Sequence, residues 1–148
     1  MKKQYFLFAL FTLFSISYSQ TYQWVKHSTL PISSSPDLTL FPCVTDAAGN
    51  VILGSLDLNR ILYNSTYYGD IIIKKYNTAG TETLTKVMTG KAAITGIETD
   101  ASGSIYVYGT FLDTLVIESG NLLINTGSGL NINSFFIKLS SSGSFIWK

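Results

Sequence analysis

The chain has 148 residues, room for one ordinary domain. It is 46% hydrophobic and 13% charged, which excludes a charge-rich disordered tail. Net charge is +1, from 10 basic and 9 acidic residues, so there is no basic excess to neutralise a phosphate backbone and no nucleic-acid partner is expected. A single cysteine excludes an intrachain disulfide framework, and a single histidine removes most catalytic and metal constellations; no enzyme, cofactor or metal site is read here.

Residues 1–19 have the three-part layout of a secretory signal peptide. Lys2 and Lys3 are the positive region, Tyr5 to Phe14 the apolar run, and Ser17 and Ser19 the small residues before a cut at Gln20. The run is shorter than the roughly 20 apolar residues a stable anchor needs, so no transmembrane anchor remains after cleavage. Loss of Lys2 and Lys3 leaves 8 basic and 9 acidic residues. The mature chain is therefore expected outside the cell or on its surface, with the periplasm as the alternative. Cys43 lies too far from the cut to carry an N-terminal lipid.

Residues 20–36 hold a lone strand around Trp24-Val25-Lys26 and a linker with Pro31 and Pro36. His27 has no acid or nucleophile near it in sequence and is expected in solvent. Two units follow, 37–90 and 91–148, because one pattern occurs twice. Thr45-Asp46-Ala47-Ala48-Gly49-Asn50 returns as Thr99-Asp100-Ala101-Ser102-Gly103-Ser104, a step of 54. Asp70 to Gly80 returns as Asn133 to Gly143, a step of 63 between the glycines. Leu84 and Trp147 each sit four residues past their glycine.

Each unit reads as four strands. The first has Leu38–Thr45, Asn50–Leu56, Asp70–Tyr76 and Thr81–Val87; the second has Ala93–Thr99, Ser104–Leu112, Ser134–Leu139 and Ser144–Lys148. The turns have a stated chemistry. An Asp carboxylate accepts the N–H two residues on, and Gly supplies a positive φ, at Asp46 with Gly49 and at Asp100 with Gly103; Gly80 and Gly143 serve the other two turns. Strand interiors such as Ile71-Ile72-Ile73 and Phe135-Phe136-Ile137 do not alternate with polar residues, so both faces are expected to be covered. The result is an all-β chain of four-stranded antiparallel blade repeats, about two blades of an incomplete β-propeller. The connection Thr114–Asn131 carries a small hairpin around Ser119-Gly120-Asn121, and Leu58–Gly69 is its shorter equivalent.

These residues resemble a bacterial β-propeller repeat family of seven-bladed type, found in secreted and surface proteins of Bacteroidota. The matching positions are Asp46, Gly49, Asn50, Gly54 and Ser55, then Asp70, Ile72, Lys75, Tyr76 and Gly80. They recur as Asp100, Gly103, Gly109, Thr110 and Phe111, then Phe136, Lys138, Leu139, Gly143 and Trp147. Leu84 stands where the pattern has Trp, and Asn133 where it has Asp. The resemblance implies a scaffold or binding role and no reaction. A closed ring needs about 4 to 8 blades, so the chain is expected to be an N-terminal fragment, completed by further blades of the same chain or by self-association.

Candidate sites are few. Asp46 and Asp100 could offer oxygens to calcium, but no cluster of three acids accompanies either, and turn capping is the expected role; the same holds for Asp57 and Asp113. Lys75 and Lys138 recur at one strand position and are expected to be structural. Cys43, in an apolar strand, is expected to be a small buried hydrophobe. Tyr63, Asn64, Tyr67 and Tyr68 make an aromatic, polar insert able to stack on and hydrogen-bond a sugar or a protein surface, or else to cover the blade face. The expected function is a non-catalytic scaffold binding a protein or carbohydrate ligand through inter-strand loops. The alternatives are the N-terminal piece of a propeller-type glycan hydrolase or lyase, against which Arg60, the single arginine, argues, and an adhesin-type stalk, against which the unequal repeat steps argue.

Overall fold

The computed structural model describes residues 41–57, 60–127 and 131–148. The expected signal peptide, the lone strand at Trp24, His27 and the linker lie outside them. Every regular element among the described residues is a strand: β1 (Cys43–Thr45), β2 (Val51–Leu56), β3 (Ile61–Tyr63), β4 (Thr66–Tyr76), β5 (Glu82–Thr99), β6 (Ile105–Glu118), β7 (Asn121–Ile124), β8 (Asn133–Leu139) and β9 (Phe145–Trp147). All pair antiparallel in one curled sheet of order β1-β2-β4-β5-β6-β8-β9, with β3 on β4 and β7 on β6 as side hairpins.

The turns that join neighbours explain why consecutive strands pair. Asp46 Oδ1 accepts the N–H groups of Ala48 and Asn50 at 3.0 and 2.9 Å, and Gly49 takes φ 80°. Asp100 Oδ1 accepts those of Ser102 and Ser104 at 3.0 and 2.9 Å, and Gly103 takes φ 77°. Asn77 Oδ1 and Ser140 Oγ do equivalent work at the next turn, accepting from Thr81 and Ser144. A short polar side chain that mimics a backbone turn, plus a residue free to go left-handed, reverses the strand in four residues.

Two of the expected strands are one. Thr81–Val87 and Ala93–Thr99 both fall in β5, which runs 18 residues without a turn. Between them lies Met88-Thr89-Gly90-Lys91-Ala92, which has no Asx or proline to reverse the chain. Its N-terminal half pairs with β4 and its C-terminal half with β6. Bulges at Gly90/Ala92 and Ile94/Gly96 bend it there, and the Asp70 carboxylate receives the Gly90 N–H at 2.8 Å. Likewise β6 continues past Leu112 to Glu118 and takes up Leu115-Val116-Ile117.

Each repeat thus holds four consecutive strands, β1-β2-β4-β5 and β5-β6-β8-β9, sharing β5. Call the side of the first repeat carrying Ile52, Ile71, Ile73, Lys75 and Leu84 its leading face. Residues at the same repeat positions in the second are Tyr106, Ser134, Phe136, Lys138 and Trp147. The opposite, trailing face carries Ile105, Val107, Phe135, Ile137 and Leu139 in the second repeat, and Val51, Leu53, Ile72, Lys74 and Tyr76 in the first. The core is the leading face of the first repeat packed on the trailing face of the second. Gly54 marks their closest approach, since a side chain there would strike Ile94 and Ile97. Thr99 Oγ1 donates to the Thr45 carbonyl at 3.3 Å across the same seam, Leu84 lies under Gly143, and Lys86 binds Glu118 at 2.6 Å.

Both sides are covered only where Tyr68, Ala93 and Leu112 form a second small cluster on β4, β5 and β6; elsewhere one side of each strand is covered, and the expectation of burial on both is corrected there. Ile71 and Ile73 are buried while Ile72 is half-buried; Phe135 and Ile137 are buried while Phe136 is 49% exposed. An apolar run does not state what lies across from it, and among the described residues each repeat has the other as a neighbour on one side only. Cys43 is corrected too: it lies exposed on the edge strand β1.

Candidate functional site

Two surfaces arise from this arrangement. The first is the β3–β4 hairpin. Asn64 and Ser65 form its tip with φ 48° and 62°, the left-handed pair of a two-residue turn whose twist suits the flanking strands. Ile61 and Leu62 are exposed, Leu62 by 61%. Tyr68 is buried, stacks edge-on against Tyr63 at 6.4 Å, and packs with Ala93 and Leu112 of the second repeat. Its hydroxyl lies 3.4 Å from Thr110 Oγ1. Tyr67 is half-buried on the main core and carries the Arg60 guanidinium 4.5 Å above its ring.

The four insert residues therefore separate. Asn64 lies at the exposed tip, Tyr63 and Tyr67 are partly covered, and Tyr68 anchors the hairpin to the second repeat. The Arg60–Tyr67 stack follows from the hairpin register: Tyr67 pairs with Leu62, and Arg60 lies two residues before Leu62 on the same face. The β6–β7 hairpin occupies the equivalent connection, turning at Gly120 with φ 81° and exposing Leu122 and Ile124.

The second surface is the leading face of the second repeat. Phe136 stacks on Tyr106 at 5.9 Å and meets Tyr108 at 6.0 Å and Trp147 at 5.5 Å with tilted rings. Tyr108 lies over Gly96, which leaves no room for a side chain. Beside Tyr108 and Phe136, a shallow open depression is floored by Gly109 and rimmed by Thr95, Thr110 and Ser134. The sequence carried a signal for this surface: period-two spacing puts Tyr106 with Tyr108, and Phe136 with Lys138, on one side.

The two repeated ion pairs lie on the two leading faces, one covered and one open. Lys75 Nζ meets Asp46 at 2.9 Å in the core, with the Asp46 side chain 3% exposed. Burial pushes the Asp46 carboxyl up, but hydrogen bonds from Asn50 and Lys75 outweigh it and bring its pKa down to about 2. Lys138 Nζ meets Asp100 at 3.2 Å on the open face, with the Asp100 side chain 30% exposed. Ser102 holds the Asp100 carboxyl well below the usual carboxylate range, helped by Ser104, Lys138 and the Tyr106 hydroxyl. Lys138 also lies 4.9 Å over the Tyr106 ring, and Tyr106 and Asp100 together raise its pKa.

Asp57 and Asp113 sit at the roots of the two hairpins: Asp57 donates its N–H to the Asp70 carbonyl, and the Asp113 carbonyl accepts from Asn125. Among the described residues, no group of three His, Cys, Asp or Glu side chains is placed to hold a metal ion. No protein-family model matches this chain, and no curated protein or solved structure matches it either.

Proposed function

We propose that this chain is a secreted or cell-surface repeat scaffold of β-propeller type, as in the Bacteroidota family its motifs resemble. It carries out no reaction and binds a protein or glycan partner through its inter-strand hairpins. The observation that carries this reading is positional. Both repeats hold the same turns and the same Asp–Lys pair, and both depart from the common four-strand plan in one connection, where each inserts a hairpin with exposed apolar residues. Departures confined to one connection of a repeated frame are where recognition is usually carried.

Tyr63, Asn64 and Leu62 are the contact residues of the first hairpin. Tyr67 and Tyr68 hold it in place, the former under Arg60 and the latter against the second repeat. Export rests on the positive, apolar and small-residue order of residues 1–19.

The test is direct. The chain expressed with its leader is recovered outside the cytoplasm, and its mass corresponds to cleavage before Gln20. The exported protein is then titrated against immobilised xylan, mannan and chitin, and against whole-cell surface protein. Saturable binding that Leu62→Ser and Tyr63→Ala weaken by about tenfold is the expected result. Retention in the cytoplasm, or binding untouched by both variants, overturns the reading.

A further inference from the structure

Glu118, the last residue of β6, holds three other elements together. Its Oε2 accepts from Lys86 Nζ of β5 at 2.6 Å and from the Phe145 N–H of β9 at 3.3 Å, and its Oε1 accepts from Asn121 Nδ2 at the start of β7 at 3.4 Å. Lys148, directly after β9, donates its Nζ to the Leu122 carbonyl of β7. The β6–β7 hairpin and β9 are thus tied at two points, once by a side chain from each. Lys86 holds the Glu118 carboxyl below the usual carboxylate range against the opposing cost of desolvation, and the Phe145 N–H adds to it.

The short strand β9 depends on these ties. It is three residues long and pairs with β8 at two positions, with an irregularity between them. A strand with so short a ladder opens locally at small cost. Its counterpart in the first repeat is the N-terminal half of β5, which pairs with β4 from Glu82 to Met88 and runs on into the half held by β6. That strand needs no such ties: the positions of Phe145 and Lys148 are held there by Glu82 and Thr85, which bond to each other.

The hairpin itself is firm at its root and free at its tip. Leu115 and Ile117 are fully buried and Leu123 packs on the core, whereas nothing lies within 4 Å of the side chain that Gly120 lacks. Its outward side shows Val116, Leu122 and Ile124, the last 61% exposed. Val116 faces Leu122 across the pairing and Ile124 lies two residues on, so the three form one aliphatic strip.

We infer that the Glu118 clasp makes the β6–β7 hairpin and β9 one moving unit, so that whatever steadies the hairpin also seats β9 and shields Trp147. In the seated state Glu118 and Lys148 reach their partners, and Trp147 lies 5.5 Å from Phe136 and 6.1 Å from Tyr106; in the open state these contacts are lost. A partner on the strip of Val116, Leu122 and Ile124 favours the steadied hairpin and so shifts β9 towards its seat. Seated β9 strengthens that binding by the same factor. This regulation rests on the hairpin-binding reading, but the clasp does not.

The experiment steadies the hairpin without a partner. Thr114 and Ile124 face each other across β6 and β7, so Thr114→Cys with Ile124→Cys places a reversible disulfide on the outward side. Cys43→Ser removes the one native thiol, Trp24→Phe leaves Trp147 the sole tryptophan, and intact mass verifies the disulfide. Oxidation is expected to lower acrylamide quenching of Trp147 about twofold, and reduction to restore it. Glu118→Ala is expected to abolish the response. Lys148→Ala, at an exposed residue where folding is not at stake, is expected to cut it by about half. Gly120→Val, whose branched side chain resists φ 81°, loosens the tip instead and is expected to raise the quenching. Quenching indifferent to oxidation and to Gly120→Val overturns the inference, and so does a response that survives loss of both ties. Failure of the carbohydrate and protein titrations alone overturns the binding reading, with the regulation that rests on it, and leaves the clasp standing.

Discussion

Asp46–Lys75 and Asp100–Lys138 are the same pair built twice. Each carboxylate caps the same turn, through N–H groups two and four residues on, and each takes a lysine from the third strand of its repeat. What differs is what lies across from them. The first pair faces the second repeat and is nearly sealed, and the second faces water and borrows the Tyr106 ring and hydroxyl as partners. Local sequence builds the pair, and the neighbouring repeat decides how much it matters, because a charge enclosed in protein depends on its partner while an exposed one falls back on solvent.

Truncation of equivalent positions on the two leading faces gives the largest expected contrast. Ile73→Ala empties a fully buried site and should cost about 2–5 kcal/mol, whereas Phe136→Ala at the matching position should cost well under half as much. Urea denaturation midpoints read both. Equal losses would mean that the Phe136 face is covered in solution.

The ion pairs come next. Lys75→Met leaves Asp46 enclosed with only Asn50 and backbone donors, a loss of about 2–3 kcal/mol. Lys138→Met should shift the midpoint less, and 1 M salt should shrink the difference between it and wild type without doing so for Lys75→Met.

The acid limb separates the pairs again. Asp46 is held at about 2 in the fold against an ordinary aspartate value of 3.8. Its contribution is complete above the unfolded value and disappears as pH falls through the folded one. Stability measured from pH 5 down to pH 2 should therefore decline, and Asp46→Asn should flatten that decline over the window set by those two values. Smallest of all is Lys74→Ala. It removes an exposed pair on the trailing face of the first repeat, and its midpoint should lie within error of wild type.

The turns were legible because their chemistry is local: Asp46 with Gly49, and Asp100 with Gly103, need nothing beyond five residues to form. The second inserted hairpin was legible for the same reason, from Ser119-Gly120-Asn121, and the first only as its shorter equivalent over Leu58–Gly69; the left-handed turn at Asn64-Ser65 was not. The continuity of β5 was not. Gly90 reads as punctuation in a string of residues, yet the Asp70 side chain and the β6 backbone hold it extended. Nor was the coverage of each face. Ile72 and Phe135 occupy equivalent positions in similar apolar runs, and only the packing of one repeat on the other leaves the first half-buried and seals the second. Cys43 departs from its expected burial because its strand is apolar in composition but lies at the sheet edge, where composition says little about exposure. At the insert, residue types suggested a contact surface but could not divide the anchoring Tyr68 from the protruding Leu62 and Asn64.

The shared strand β5 has a consequence for how the halves come apart. The boundary between repeated sequences falls inside a continuous run of hydrogen bonds, as the joints of one course of bricks fall over the solid middle of the next. Peeling either repeat away would strip its half of β5 of partners while the other half stays held, and it would break the ladder at Ala92, which pairs with both Gly69 and Phe111. The two repeats should therefore melt in one transition, and a protease given access near Gly90 should release no stable half.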